Sequence, residues 1–357
     1  MSTAPTDGLL PWLEAPLAQA LHGTRGHALL LHGMQGVGQF ELALAVAAAW
    51  LCEGDASLRA DGRACGGCVA CRLIAARTHP DLLVLIPEAL QESLGWSGSD
   101  EPGDADGGKG KAKPSREIKV EAVRAAVSFA QQTSSRGGAK VTVIYPAERM
   151  NPASANTLLK TLEEPPGRAR FVLASAAPQR LLPTVRSRCQ TLRVPLPSAD
   201  AATGWLASKQ AAQPEVLLAA AGGQPLEAHE RLVLGIDAQA WLRLPREVLA
   251  GQAATLTAWP LPIVIDALQK LCHDALSVAV GALPRYFPPG SLPPGGDVAR
   301  LTACARDLRG AARHAEHPWN AGLGVEALVL QVRKALQPAT EGAAPHAQRP
   351  AFATLKS

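Results

Sequence analysis

Ala28-Leu29-Leu30-Leu31-His32-Gly33-Met34-Gln35-Gly36-Val37-Gly38-Gln39-Phe40 passes from an apolar run through three glycines into a segment of helical composition that continues to Leu51. A strand that turns through glycines into a helix has the placement of a phosphate-binding loop, in which backbone N–H groups at the helix start surround an anion. A working loop adds a lysine for the terminal phosphates and a Ser or Thr hydroxyl for Mg²⁺. Here Gln39 and Phe40 stand at those two positions. Gln carries no charge, and Phe cannot ligate a metal while it adds bulk where phosphates would lie. Glycine spacing alone also fits an ordinary strand-to-helix turn, so the reading depends on the rest of the chain.

Outward from this loop, short apolar runs recur at 82–86, 141–144, 171–174 and 191–194, with helical stretches between them. That alternation predicts a parallel sheet covered by helices. Val120, Val123, Val127 and Ala130 follow i, i+3, i+7, i+10, which predicts an amphipathic helix packed on the sheet. From 91 to 115 the chain turns to Gly, Ser, Asp, Glu and Lys, including Gly107-Gly108-Lys109-Gly110-Lys111, and is expected to be a disordered surface insertion. After Pro195-Leu196-Pro197 no strand pattern returns. A small helical domain opens there behind an N-cap at Ser198. Helices are expected at 263–276 and at 325–336, where Val325, Leu328, Val332 and Ala335 line one face, with a Pro-rich stretch at 283–294 between them. Residues 339–357 read as a flexible tail.

The run at 141–144 bears on the loop. In an ATP site the corresponding strand ends in acidic residues that hold Mg²⁺ and polarise water, whereas Val141-Thr142-Val143-Ile144 runs into Tyr145-Pro146. Glu148, the first carboxylate beyond, reads as a solvated loop charge. Both halves of an ATP site are therefore altered together, and a decayed phosphate loop is the better reading of Gly33, Gly36, Gly38, Gln39 and Phe40.

Cys65-Gly66-Gly67-Cys68-Val69-Ala70-Cys71 makes two consecutive Cys-x-x-Cys steps, and Cys52 lies upstream at the end of a helical run. Each step lets a tight turn bring two sulfurs to one ion, and the loop after Cys52 can fold back to supply a fourth. Four thiolates suit tetrahedral zinc and leave no open position, so the predicted zinc at Cys52, Cys65, Cys68 and Cys71 is structural. Cys189, Cys272 and Cys304 lack such partners and read as small buried residues.

Composition agrees with a globular protein of two or three domains: 357 residues, 47% hydrophobic and 18% charged, supply ample core. The start of the chain lacks a signal-peptide pattern, and the densest apolar run, 42–52, falls short of the roughly 20 residues that span a bilayer. A cytoplasmic location without membrane contact is expected, where seven cysteines point to metal and not to disulfides. A net charge of +4 is too small to indicate salt-sensitive phosphate binding by itself.

Asn151-Pro152-Ala153-Ser154-Ala155-Asn156-Thr157-Leu158-Leu159-Lys160-Thr161-Leu162-Glu163-Glu164-Pro165-Pro166 reads as a helix with Leu158, Leu159 and Leu162 toward the sheet, ended by the proline pair. The segment resembles the clamp-loader subunits of the AAA+ superfamily. Arg186-Ser187-Arg188-Cys189 matches that family's Ser-Arg-Cys motif, His79-Pro80-Asp81 follows the cysteine module, and Ala221-Gly222-Gly223-Gln224-Pro225 resembles its lid. The likeness runs from about residue 8 to about residue 336 and weakens after Pro225, where His317-Pro318-Trp319-Asn320 is similar to delta-prime chains. A retained Ser-Arg-Cys with both nucleotide motifs lost is the delta-prime pattern within the bacterial DNA polymerase III clamp loader.

The resemblance implies an AAA+ α/β domain over 1–194, a helical lid over 195–230 and a C-terminal helical collar over 231–338 that holds a five-subunit ring. It implies no ATP bound and no intrinsic activity. Gamma or tau and delta subunits would be the partners, the neighbours' hydrolysis placing a sliding clamp on primed DNA. Arg188 would act as an arginine finger in trans, with Arg186 and Arg193 close enough in sequence to be confused with it. Two other readings are an active gamma- or tau-like ATPase, against which the four altered positions weigh, and a zinc-dependent nucleic-acid-binding module. The second would need more than Arg59 and Arg63 as basic residues between Cys52 and Cys71, and aromatics for stacking.

Overall fold

Five strands, β1 (Ala28–His32), β2 (Leu82–Leu85), β3 (Lys140–Ile144), β4 (Ala169–Ser175) and β5 (Gln190–Arg193), pair in the order β2-β3-β4-β1-β5, every neighbour parallel. These are the apolar runs of the sequence, displaced at their ends by no more than two residues. The computed structural model describes residues 8–96 except 56 and 58, then 114–292, 296–313 and 321–337. Most of the 91–115 insertion, the tail and His317-Pro318-Trp319-Asn320 lie outside the described residues.

The inner strands β1, β3 and β4 are buried along nearly their whole length because both faces of the sheet are covered there, whereas the edge strand β5 buries only Leu192. Ala28, Leu30, Phe171, Leu173 and Ile144 share one core with Val123, Ala126 and Ala130 of α5 (Val120–Gln131) and with Leu158 and Leu162 of α6 (Pro152–Glu163). Leu29, Leu31, Val143, Val172 and Ala174 are buried on the opposite face, where α2 (Gln39–Leu51) lies against β3 and β4, backed by α1 (Glu14–Gly23). Each leucine so buried contributes about 1.5–3 kcal/mol. The α6 helix starts at Asn151, whose side chain accepts from Ser154 N at 2.9 Å, and stops before Pro165-Pro166, as the motif predicts.

Three short helices complete this part: α3 (Val69–Ala75) in the cysteine module, α4 (Glu88–Gln91) after β2, and α7 (Pro183–Arg186) before β5. The insertion begins later than its composition suggests. Trp96 is packed edge-on to Phe40, and Ala89 N donates to Ser115 O at 3.0 Å, so both flanks of the polar stretch are part of the fold. Among the described residues no helix is long and apolar enough to cross a membrane.

Beyond β5 the described chain is helical: α8 (Ala199–Ser208), capped by Ser198 as expected, then α9 (Pro214–Ala220), α10 (Pro225–Val233), α11 (Ala238–Ala250), α12 (Ala254–Thr257), α13 (Leu261–Ala279), α14 (Val298–Arg313) and α15 (Ala321–Leu336). Two compact units result. One comprises the described residues up to Ala211 with Gly223–Glu230, the other Ala212–Gly222 with those from Arg231 onward. In the second, α13, α14 and α15 pack together around Leu268, Leu271, Leu301, Leu308, Val329 and Val332. Trp241 stacks on Phe287 at 4.8 Å. Buried Asp274 accepts the backbone N–H of Arg285, Tyr286 and Phe287 at 2.6–2.9 Å, which fastens the Pro-rich loop to α13. Cys272 and Cys304 are buried as expected but are not isolated: their sulfurs lie 3.7 Å apart between α13 and α14.

Candidate functional site

The glycine loop lies at the carboxyl end of β1, the edge of an open parallel sheet where ligands bind. Gly33 must be glycine, because a Cβ there would come within 2.5 Å of the Val194 carbonyl oxygen. Gly36 has φ +72°, and its Cβ would press on Gln224 and Glu227 at 3.3 Å. Gly38 stands as the left-handed residue before α2.

Four successive loop carbonyls are taken by donors of the chain. Gln39 Nε2 donates to Met34 O at 2.6 Å. The Gln224 amide nitrogen, assigned from its surroundings, donates to Gln35 O at 3.0 Å. Leu226 N donates to Gly36 O at 3.1 Å, and Trp12 Nε1 to Val37 O at 2.8 Å. The Gln39 side chain thus folds back on its own loop, whose carbonyls are braced by these four contacts. Trp12 also meets Trp205 edge-on at 5.5 Å, and Trp205 meets His229 at 5.4 Å, so aromatic rings pack beside the loop.

Phe40, 2% exposed, does not project from the loop as bulk alone. Its ring stacks on Tyr145 at 5.0 Å and meets Trp96 edge-on at 6.4 Å, with the Arg77 guanidinium over Trp96 at 5.2 Å. The sequence pattern puts Phe40 and Tyr145 where an ATP site would need oxygen ligands for a metal, and the two form an aromatic pair instead. Burial, and then the carboxylates of Glu41, Glu148 and Glu230, hold the Tyr145 phenol above its ordinary range, so it is neutral. Glu148 is not a solvated charge. It is half-buried, and its Oε1 accepts from Ala176 N at 3.2 Å, tying the turn after β3 to the end of β4.

Cys52, Cys65, Cys68 and Cys71 converge, all four sulfurs lying within 4.8 Å of one another. A tetrahedral ion with ligands at about 2.3 Å requires sulfurs about 3.8 Å apart. Cys52 and Cys68 are separated by 3.9 Å, and Cys65 and Cys71 by 4.0 Å. Backbone N–H groups of Gly54, Cys65, Cys68 and Cys71 point at the sulfurs at 3.3–3.4 Å, as thiolates need. Burial pushes the Cys68 thiol up, but the N–H groups of Cys71 and Glu53 outweigh it and bring it down to about 6. The donor set fits a closed four-sulfur metal centre.

The module is tied to the sheet by a polar cluster that pattern reading missed. Glu53, next to Cys52, pairs with Arg136 at 2.5 and 2.8 Å. Asp81, 1% exposed, accepts from Ser134 Oγ, Ser135 N and Arg136 N and pairs with Lys140 Nζ at 3.1 Å. Lys140 is itself 5% exposed and lies over the Phe129 ring. His79 Nδ1 accepts from Asp81 N at 3.1 Å, which gives His79-Pro80-Asp81 its structural sense.

Arg188 follows α7 on the surface of the same unit. Its Nη1 donates to Thr184 O at 2.8 Å and its Nη2 to the Glu163 carboxylate at the end of α6. Glu163, itself 49% exposed, is thereby an ion-pair partner of Arg188 at the helix end. Arg186 and Arg193 are exposed, and Cys189 packs against the core, where burial pushes its thiol up to about 12.

A family model described as "DNA polymerase III, delta subunit" matches residues 14–198. A Pseudomonas aeruginosa protein named DNA polymerase III subunit delta' is 38% identical over 72% of this chain and 74% of its own length. The Escherichia coli protein of that name is 29% identical over 94% and 98%. The Escherichia coli DNA polymerase III subunit tau is 32% identical over 46% of this chain and 20% of its own. A glycine loop at the end of β1, a four-cysteine module and a Ser-Arg-Cys segment after α7 thus occur in a chain that belongs to the DNA polymerase III delta' family, components of the bacterial clamp loader.

Proposed function

We propose that the chain is a clamp-loader subunit without nucleotide chemistry of its own. In the assembly it joins gamma or tau and delta subunits, lends Arg188 in trans to a neighbour's ATP site, and takes part in placing the sliding clamp on primed DNA. One contrast carries this reading. Gln39, Phe40 and Tyr145 are taken up by the chain's own packing, while the Arg188 guanidinium, held by Glu163 and Thr184, stays 29% exposed with N–H groups of its Nη atoms unused by those two bonds. Arginine suits the task because its planar, permanently charged fork can meet two phosphate oxygens and offset charge that develops as the γ-phosphoryl group transfers. The reading also takes 195–230 as a lid, 231–338 as a collar that holds the ring, and the four-cysteine centre as structural zinc, closed to substrate.

Two measurements test it. Titration of the purified chain with labelled ATP and Mg²⁺ is expected to show no binding at micromolar concentrations, and saturation there would reject the first half. Tagged chain expressed with gamma or tau and delta is expected to co-purify with them. Recovery of the chain alone would reject the second half.

A further inference from the structure

Glu163 ends α6 directly before Glu164-Pro165-Pro166, and α6 is locked to the sheet through Leu158 and Leu162. Its carboxylate holds Arg188 Nη2 while the Thr184 carbonyl, from α7, holds Nη1. The guanidinium is therefore gripped from two elements. Its Nε is enclosed and has no partner among the described residues. The pair stays open to water, Arg188 being 29% exposed and Glu163 49%.

We propose that Glu163 is the positioning residue for Arg188. The proposal rests on the reading of Arg188 as acting in trans and adds which side chain sets its geometry. An unheld arginine rotates about several bonds, and that freedom is lost when the fork docks on phosphate. A carboxylate on a fixed helix end removes it beforehand, so the neighbour's phosphates meet an oriented fork. Two contacts use two of the five N–H donors of the guanidinium and leave others for oxygen atoms across the boundary. Because the pair is half-exposed, water screens it, and Glu163 does not cancel the positive charge. Glu164, exposed next to it, makes no contact with Arg188 among the described residues.

The test uses the reconstituted clamp-loader complex with Arg188→Ala, Glu163→Ala, Glu163→Gln and the double variant Arg188→Ala/Glu163→Ala. DNA- and clamp-stimulated ATPase is measured across ATP concentration, with assembly checked by gel filtration. Glu163→Ala is expected to lower kcat about two- to fivefold, the span of a half-exposed ion pair, and to leave the KM for ATP unchanged. Glu163→Gln, which keeps an acceptor oxygen and the helix end, should fall between it and wild type, even if the alanine variant assembles poorly. The double variant should match Arg188→Ala alone. A slow Arg188→Ala complex beside wild-type rates for both Glu163 variants would overturn the positioning role. So would a double variant slower than Arg188→Ala by the full Glu163→Ala factor. A wild-type rate for Arg188→Ala would instead defeat the trans reading on which the proposal stands.

Discussion

Placing the lysine and hydroxyl of a working phosphate loop into this chain, Gln39→Lys with Phe40→Thr, should destabilise it and not create an ATP site. Phe40 is 2% exposed and stacks on Tyr145, so its loss resembles truncation of a buried phenylalanine, which costs about 3–5 kcal/mol. Threonine returns little of the ring's volume. Gln39 is also 2% exposed and donates to the Met34 carbonyl. A lysine there would bring an ammonium into that enclosed space, at further cost unless phosphate were present to meet it. Tyr145-Pro146 would still offer no carboxylate to Mg²⁺. Urea unfolding of wild type, Phe40→Thr and the double variant, followed by far-UV circular dichroism, should show a loss of about 3 kcal/mol or more. ATP titration with Mg²⁺ should show no saturation at micromolar concentrations. A double variant within about 1 kcal/mol of wild type that binds ATP at those concentrations would refute the reasoning, because a destabilised core is defined here by a loss larger than typical surface effects.

Asp81→Asn should cost about 3–5 kcal/mol, since it leaves the buried Lys140 ammonium without its counter-charge, and urea unfolding measures this. Burial works to raise the Asp81 pKa, but the donors from Ser135, Ser134 and Lys140 outweigh it, so the folded pKa is depressed. The stability it contributes is full above its unfolded value of about 3.9 and is lost as pH falls through the folded pKa. Wild type should therefore lose stability more steeply than Asp81→Asn below about pH 4. The chain purified without chelator should carry one zinc, and Cys68→Ser should lower the content measured by atomic emission. Unchanged zinc in that variant would remove Cys68 from the ligand set.

The centre of the sheet was legible because β1, β3 and β4 are buried along nearly their whole length, which leaves short, mostly apolar runs, while the edge strand β5 carries only Leu192 into the core. The cysteine cluster was legible because its ligands are local, with Cys65, Cys68 and Cys71 on one turn-rich segment. Contacts between distant segments were not. Nothing in the spacing of Glu163 and Arg188, of Asp81 and Lys140, or of Cys272 and Cys304 announces that they meet. Only the fold brings α6 to α7, β2 to β3 and α13 to α14. Trp12, which fixes the Val37 carbonyl, carried a faint signal as a tryptophan just ahead of the first helix. Trp96 was missed because the polar residues after it dominated the reading of its segment.

The account turns on whether the chain's surviving arginine acts on a neighbour. The most direct measurement is DNA- and clamp-stimulated ATP hydrolysis by the complex reconstituted with Arg188→Ala, beside one with Arg186→Ala. Arginine fingers contribute about 10³- to 10⁵-fold at a single site in GTPases, so with one site among several affected, Arg188→Ala should leave only part of the activity and slow clamp loading. Arg186→Ala should do less, and both complexes should assemble and hold their zinc. An Arg188→Ala complex that hydrolyses ATP and loads clamps at the wild-type rate would contradict the account.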